Sequence, residues 1–424
     1  ISLNPLNTDD LTPPLTGTID DPTAIITVTV NGTNYTATNN GNGTWTLPDD
    51  RIIPLTGGTY DIVVTATDPT GNVGSDSANG TLVTNPTSQE LSVNGNNFFF
   101  IDSDAPTATL KFTLTGSLAD FVNEMGVFSV DDQQGTINGI AIDDPGYLEA
   151  ALERSRTVFS GLSNNEFLAL HTPRKLNWGT NEYLGFYLIQ NDTMDNVLND
   201  LAIGQRTSDV TIFVPPSDGN PDGLNHSQIS NLGNNVFEIA WEDLLGGGDT
   251  DFNDLVAQVE LTNELPELGT NLQGIPQREL LDLTAQSGQR LRAAIEVESS
   301  ADFGNLAGFY QVANGEGTVI DPITGQAIAP GDNSYAEAAL ARSVVEFDQS
   351  GTEPVLLEGG AIYAPYVIAD GDRSNAYFPY LEANTDGFDH LRLLGDNTFG
   401  FEDTPNGGDL DFNDMVFQVN LSLI

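Results

Sequence analysis

Apolar and polar residues alternate along AIITVTV (Ala24–Val30) and TYDIVVTA (Thr59–Ala66), a period of two that predicts half-buried strands. Turn signals such as NG, GNG and DPTGN fall between these runs, and Pro13-Pro14 precedes the first strand. Trp45 in GTWTL is placed to anchor a core between two sheets. Helical periodicity is absent from residues 1–86, which therefore predict one small β-sandwich.

The rest of the chain repeats itself. GYLEAALERS (Gly146–Ser155) recurs as SYAEAALARS (Ser334–Ser343), GVFSV (Gly126–Val130) as GFYQV (Gly308–Val312), and DGLNH (Asp222–His226) as DGFDH (Asp386–His390). WEDLLGGGDTDFND (Trp241–Asp254) recurs without a gap as FEDTPNGGDLDFND (Phe401–Asp414). The first copy is placed at residues 87–264 and the second at 265–424, with a Pro- and Gly-bearing connector over 265–277. Strands are predicted at FFFID, TLKFTLTG, EYLGFYLIQ, VTIFVPP, NVFEIAW and LVAQVELT in copy one. In copy two they fall at LRAAIEVES, AGFYQVA, AIYAPYVIA, DHLRLL and MVFQVNLSL. One short helix per copy is expected at EAAL, from its Ala and Leu density. Glu149 and Glu242 are 93 residues apart, but Glu337 and Glu402 only 65; the surplus lies around NDTMDNVLNDLAIGQRTSD and predicts an elaborated loop. Phe98–Ile101 is apolar without alternation. It predicts a strand buried on both faces or, at this position beside the domain boundary, a strand donated to a neighbouring subunit.

The duplicated GGxDxDFND segment concentrates hard oxygen donors. Asp249, Asp251, Asn253 and Asp254 follow Glu242 and Asp243; Asp409, Asp411, Asn413 and Asp414 follow Glu402 and Asp403. Two carboxylates ~5 Å apart repel by about 3 kcal/mol at an effective dielectric of ~20, so such a knot must protonate, spread or capture a cation. Calcium takes six to eight such oxygens and suits the ligand count better than magnesium. The segment imitates the first half of an EF-hand loop but has Asp254 or Asp414 where that loop has glycine. Glu260, at the twelfth position, lies along a strand about 20 Å beyond Asp254 and out of reach. Remaining ligands are therefore sought in the shared acid-x-Asn-x-Asp-Gly loops, Asp218/Asn220/Asp222 and Glu382/Asn384/Asp386. Asx-turns at strand ends would explain a single such segment; two that persist while their neighbours drift favour calcium.

Two resemblances rest on these residues. FEDTPNGGDLDFNDMV after DGFDHLRLLGDNTFG resembles the domain of unknown function 4114 of secreted bacterial proteins, many of them cyanobacterial. The likeness covers both copies and is strongest toward their ends; copy one departs from it in its long middle loop and in GLNHSQISN. It implies an extracellular β-sandwich beside Ig-like or other adhesive modules, with calcium and without catalysis. LTGTIDDPTAIITVTVNG with GTWTLP and GTYDIVVTATDPTGNVG resembles the bacterial Ig-like repeats of large secreted surface proteins. Such modules stand in tandem, so a start on Ile1 is expected for a piece of a longer, processed precursor.

Composition narrows the partners. A net charge of −48, from 61 acidic and 13 basic residues, repels nucleic acid and anionic lipid and favours cations. Hydrophobic content of 39% suffices for packed cores. Without cysteine there is no disulfide, thiolate metal site or cysteine nucleophile. No apolar run reaches the ~20 residues of a membrane helix. His226 and His390 occupy matching positions, and His171 is the third histidine; with no HExxH or HxH spacing, a hydrogen-bonding role is expected. G-x-S-x-G, P-loop and G-x-G-x-x-G motifs are absent, so no enzyme is expected. Asn31-Gly-Thr and Asn79-Gly-Thr are sequons that NG turns produce by chance. The expectation is an all-β chain: an Ig-like sandwich, then two related jelly-roll-like sandwiches, each with one short helix. Its role is read as a non-enzymatic, calcium-stabilised structural or adhesive protein of the cell surface, sheath or matrix, able to self-associate into a filament or array. The alternative is a calcium-dependent module for extracellular polysaccharide. That reading needs Trp178, Tyr183, Tyr187, Tyr363, Tyr366, Tyr377 and Tyr380 to present an exposed platform.

Overall fold

The alternation in AIITVTV is realised as the strand Ile25–Val30, whose Ile26, Val28 and Val30 are buried while the residues between them are not. The computed structural model describes the chain except for residues 9, 56–57, 85–88, 120, 161–172, 203–210, 302 and 409. His171 and the end of the predicted elaborated loop therefore lie outside the described residues. Residues 1–88 form one compact unit. Its strands are ordered Leu6–Thr8, Val73–Thr84, Gly58–Thr67, Ile25–Val30, Thr33–Asn39, Thr44–Leu47 and Leu15–Thr18. Trp45 is fully buried in their core, and its indole N–H donates to the Ser2 carbonyl at 2.8 Å. Gly17 is required there, because a Cβ at that position would lie 1.9 Å from the same carbonyl.

The second unit, 89–424, contains both copies. Each is a sandwich of two mainly antiparallel sheets, and the strand order matches between copies. In copy one the first sheet runs Arg174–Gly179, Thr107–Ser117, Leu255–Thr262, Val236–Trp241, Ser227–Gly233. Its counterpart in copy two runs Val355–Glu358, Arg290–Glu298, Met415–Leu423, Thr398–Phe401, Leu391–Gly395. The second sheets are centred on Glu124–Val130 with Tyr183–Gln190, and on Leu306–Val312 with Ile362–Ile368. Phe112, Phe186 and Trp241 fill the space between sheets in copy one; Phe309, Phe399 and Phe417 do so in copy two. The EAAL segments are helices α1 (Tyr147–Glu153) and α3 (Tyr335–Ala341). They cover the outer faces of the second sheets, adding a further apolar layer of Phe128, Tyr147 and Tyr187, or Tyr310, Tyr335 and Tyr366. The inserted loop of copy one holds an additional helix, α2 (Met194–Ala202), whose Met194 and Val197 join the same layer.

Cover on both faces explains Phe98–Ile101. Phe99 and Ile101 point into the inter-sheet core and Phe98 into the outer layer. The strand Phe99–Ser103 pairs on one side with Gln89–Val93 and on the other with Tyr183 and Leu184. Both neighbours belong to the same chain, which overturns the donated-strand expectation and leaves the doubly buried strand. Phe99→Ala should accordingly cost about 3–5 kcal/mol in equilibrium denaturation; a loss below ~1 kcal/mol would mean the segment is dispensable to the fold. The aromatic residues of the carbohydrate reading are also core. Trp178, Tyr187, Tyr363, Tyr366, Tyr377 and Tyr380 are buried, and Tyr183 is half-buried against Phe100 with ring centroids 4.6 Å apart. They form no exposed platform.

The copies meet through a buried ion pair. Arg174 of copy one donates from Nη1 to Asp396 Oδ1 of copy two at 2.7 Å, and from Nη2 to the connector carbonyl of Gln273 at 3.2 Å. Thr157 N–H donates to the carbonyl of Gly274 at 2.8 Å.

Candidate metal centres

Each acidic knot sits where a strand of the first sheet ends and a tight loop returns to the next. Trp241 closes the strand Val236–Trp241, and Glu242 and Asp243 follow it, both buried. The loop then takes left-handed backbone at Gly246, Gly247, Gly248, Thr250 and Phe252, with φ of 83°, 82°, 45°, 61° and 54°. Copy two does the same at Asn406, Gly407, Gly408, Leu410 and Phe412. Positive φ at Thr, Leu and Phe costs on the order of 1–2 kcal/mol per residue, and both copies bear it at equivalent positions. Gly248 has a further reason: a Cβ there would lie 1.8 Å from Glu242 Oε1.

This curl gathers the carboxylates. One oxygen each from Glu242, Asp249 and Asp251 lies within 4.8 Å of the others. Asn253 Nδ2 donates to Asp251 Oδ2, and Phe252 N–H donates to Glu242 Oε2 at 3.3 Å. Asp254 turns inward and braces the loop: its Oδ2 accepts Asp243 N–H at 2.8 Å, and its carbonyl accepts the N–H groups of Leu118 and Ala119. Copy two repeats the pattern. Phe412 N–H donates to Glu402 Oε1 at 2.7 Å, Asn413 Nδ2 to Asp411 Oδ2 at 2.6 Å, and Asp403 N–H to Asp414 Oδ2 at 2.9 Å. Asp409, the counterpart of Asp249, lies outside the described residues.

The acid-x-Asn-x-Asp-Gly loops lie beside the knots without entering the triad. Asn220 Oδ1 accepts Val214 N–H at 2.8 Å and its Nδ2 donates to Leu224 O; Asn384 ties Phe378 and Phe388 in the same way. Asp222 Oδ2 accepts Gly246 N–H at 2.7 Å, and Asp386 Oδ2 accepts Asn406 N–H at 2.9 Å. Asp218 is exposed, and Glu382 lines a separate cleft of about 360 Å³ with Tyr380, Arg278 and Glu316. His226 is fully buried and stacks on Phe213 at 3.8 Å. Its Nε2 faces Asp222 Oδ2 at 3.0 Å and its Nδ1 faces the Glu242 carbonyl at 3.0 Å. His390 stacks on Tyr377 at 3.6 Å and links Asp386 to the Glu402 carbonyl likewise. Each imidazole thus ties the neighbouring loop to the knot.

Sequence reading missed Asn123 and Asn305. Both are fully buried, and they donate to Asp243 Oδ2 at 2.7 Å and Asp403 Oδ2 at 2.6 Å. The signal was available: ADFVNEMG (Ala119–Gly126) and ADFGNLAG (Ala301–Gly308) share A-D-F-x-N-x-x-G.

The electrostatics favour a cation. Burial, followed by the charges of Asp254 and Asp249, raises the Glu242 carboxyl, with the Phe252 N–H opposing. Burial pushes Asp243 up to about 6, with the Asn123 amide opposing and Asp254 adding to the rise. Asp222 behaves oppositely: its burial is outweighed by the N–H groups of Gly246 and Leu224 and by His226, which hold it at about 2. All-oxygen donors with three converging carboxylates fit calcium; a zinc centre would need sulfur or imidazole ligands, and both described histidines are engaged elsewhere.

Comparison with known proteins agrees with this layout. The domain of unknown function 4114 matches residues 179–262 and 354–422, and a bacterial Ig-like domain matches 5–84. No curated protein sequence matches the chain. Among solved structures, a Ca2+-stabilized adhesin that helps an Antarctic bacterium bind ice is 14% identical, covering 88% of this chain and 68% of its own, at a TM-score of 0.15. The Bacteroides ovatus mixed-linkage glucan utilization protein SGBP-B, solved with a heptasaccharide, is 9% identical, covering 87% and 96%, at 0.17. A tetra-tandem repeat from the extending region of a large adhesion protein is 12% identical, covering 85% and 96%, at 0.16. Superpositions this loose carry no information about what the chain binds. The chain carries, in order, one bacterial Ig-like domain and two copies of the domain of unknown function 4114.

Proposed function

We propose that the chain is a non-enzymatic, extracellular structural or adhesive module of a bacterial cell surface, whose two duplicated sandwiches are stiffened by calcium. The observation that carries this reading is the converging triad Glu242, Asp249 and Asp251, on a loop whose left-handed backbone recurs in the second copy. Asp251 and Asp411 supply ligands at the loop centre, Glu242 and Glu402 supply them from the strand end, and Asn253 and Asn413 are amide donors within reach. Asp243, Asp254, Asp403 and Asp414 hold the loop in shape. The Ig-like unit acts as a spacer. Carbohydrate binding is the weaker reading, since its aromatic platform is buried.

Calorimetric titration of chelator-stripped protein with calcium tests this. At least two ions per chain are expected to bind, with Asp251→Ala and Asp411→Ala each removing one. Binding that leaves the stoichiometry unchanged in both variants would place the calcium elsewhere.

A further inference from the structure

We propose that the joint between the two copies is a proton-operated clamp, firm while its buried carboxyls are protonated and loosened as they ionise. Three such groups converge there from separate segments, Glu124 at the start of Glu124–Val130, Asp195 on α2 and Glu279 after the connector, beside the ion-paired Asp389 that precedes Leu391–Gly395. All four are buried. Both oxygens of Asp195 accept the Gln277 N–H, at 2.9 Å. Glu124 Oε1 accepts Met194 N–H at 2.9 Å and the Tyr187 hydroxyl at 3.0 Å. The Thr193 hydroxyl of copy one donates to Asp389 Oδ2 of copy two at 3.3 Å.

The positive charge available is already committed. Arg392 pairs with Asp389 at 2.8 Å and lies over the Phe412 ring at 3.9 Å. Arg174, which also faces Glu279, pairs with Asp396. Among the described residues, no basic side chain forms an ion pair with Glu124, Asp195 or Glu279. Asp192 on the α2 approach also faces Arg392, with Asp200 behind it, and Tyr380 faces Glu279. Arg392 also faces Glu124 and Asp195, but each arginine already pairs with another carboxylate, so ionising Asp195 and Glu279 together buries like charges that have no ion-pair partner of their own.

Burial, then the charges of Asp389 and Glu124, holds Asp195 well above the usual carboxylate range. Burial, then Asp195 and Asp389, does the same for Glu279. Burial pushes Glu124 up to about 7, against the Met194 N–H. Groups raised in the folded state contribute stability that is full below their unfolded values near ~4 and is lost as pH rises through the folded values. For Glu124 that loss is spread between 4.5 and about 7. Asp195 and Glu279, whose folded values are also raised, add to the loss in the same direction.

The test uses the full chain in millimolar calcium, melted between pH 5 and pH 9. The midpoint of the 89–424 transition should fall with rising pH. Asp195→Asn and Glu279→Gln, nearly isosteric and uncharged, should each flatten that fall and melt above the parent at pH 9. In the unmodified protein, hydrogen-exchange protection of α2 and of residues 269–279 should drop by about tenfold or more over the same range. Variants that run parallel to the parent at every pH, or protection that stays constant, would overturn the clamp. A parent midpoint that instead rises with pH and collapses on chelation, with Asp195→Asn abolishing the rise, would make the cluster a cation site and also overturn it.

Discussion

Stripping calcium with excess chelator at fixed ionic strength should lower the melting midpoint of the 89–424 unit by on the order of 10 °C. The reason is linkage. Glu242 leaves the end of one strand while Asp249 and Asp251 come from the returning loop, so the ligands meet only in the folded chain. An ion that binds the folded form alone, at free calcium about 1,000-fold above its dissociation constant, adds roughly 4 kcal/mol per site. Two sites rival the whole net stability of many domains, roughly 5–15 kcal/mol. Asp411→Ala should remove about half of the calcium-dependent shift and Asp251→Ala a similar share. Identical melts with and without chelator would mean that the knots serve solubility only.

Arg174→Met should be nearly as costly, about 3–5 kcal/mol, although Arg174 belongs to no motif. Its guanidinium is fully buried against Asp396, and removing it leaves that carboxylate in the interior, held only by the Lys175 N–H at 3.0 Å. Arg174→Lys should not rescue it, because an ammonium cannot reach both Asp396 and the Gln273 carbonyl in the planar geometry that the guanidinium uses. Adding Asp396→Leu to Arg174→Met should recover most of the loss, since a well-packed apolar pair often equals a buried ion pair. A double-mutant cycle with a coupling below ~0.5 kcal/mol would show that the copies do not depend on this contact.

The strands were legible because half-buried positions alternate, as in LVAQVELT, where every second residue of Leu255–Thr262 is buried. The duplication was legible as repeated strings, and the matched sheet orders follow from it. Legibility failed where the sheet is covered on both faces. There FFFI loses its alternation, and a donated strand and a doubly buried one look alike in sequence. The same cover hides the tyrosines: Tyr187 and Tyr366 fill the layer beneath α1 and α3, which no spacing distinguishes from a sugar platform. Helix α2 could have been read from Met194, Val197, Leu198 and Leu201, an i, i+3, i+4, i+7 stripe inside a polar loop. In the knot, sequence pointed to Glu242, Asp249 and Asp251. It could not separate them from Asp222 and Asp386, whose carboxylates are engaged by backbone N–H groups and histidines. The joint carboxylates Asp195, Glu279 and Asp389 share no motif, because their meeting depends on how the two copies pack.

The most direct measurement is a crystal structure grown in millimolar calcium, with anomalous data collected to locate the ion. The expected result is a peak in each knot, about 2.3–2.6 Å from carboxylate oxygens of Glu242, Asp249 and Asp251 in the first and of Glu402 and Asp411 in the second. Well-ordered loops with no peak at either knot, and the carboxylates turned out to solvent, would contradict calcium as the ion that holds these sandwiches together.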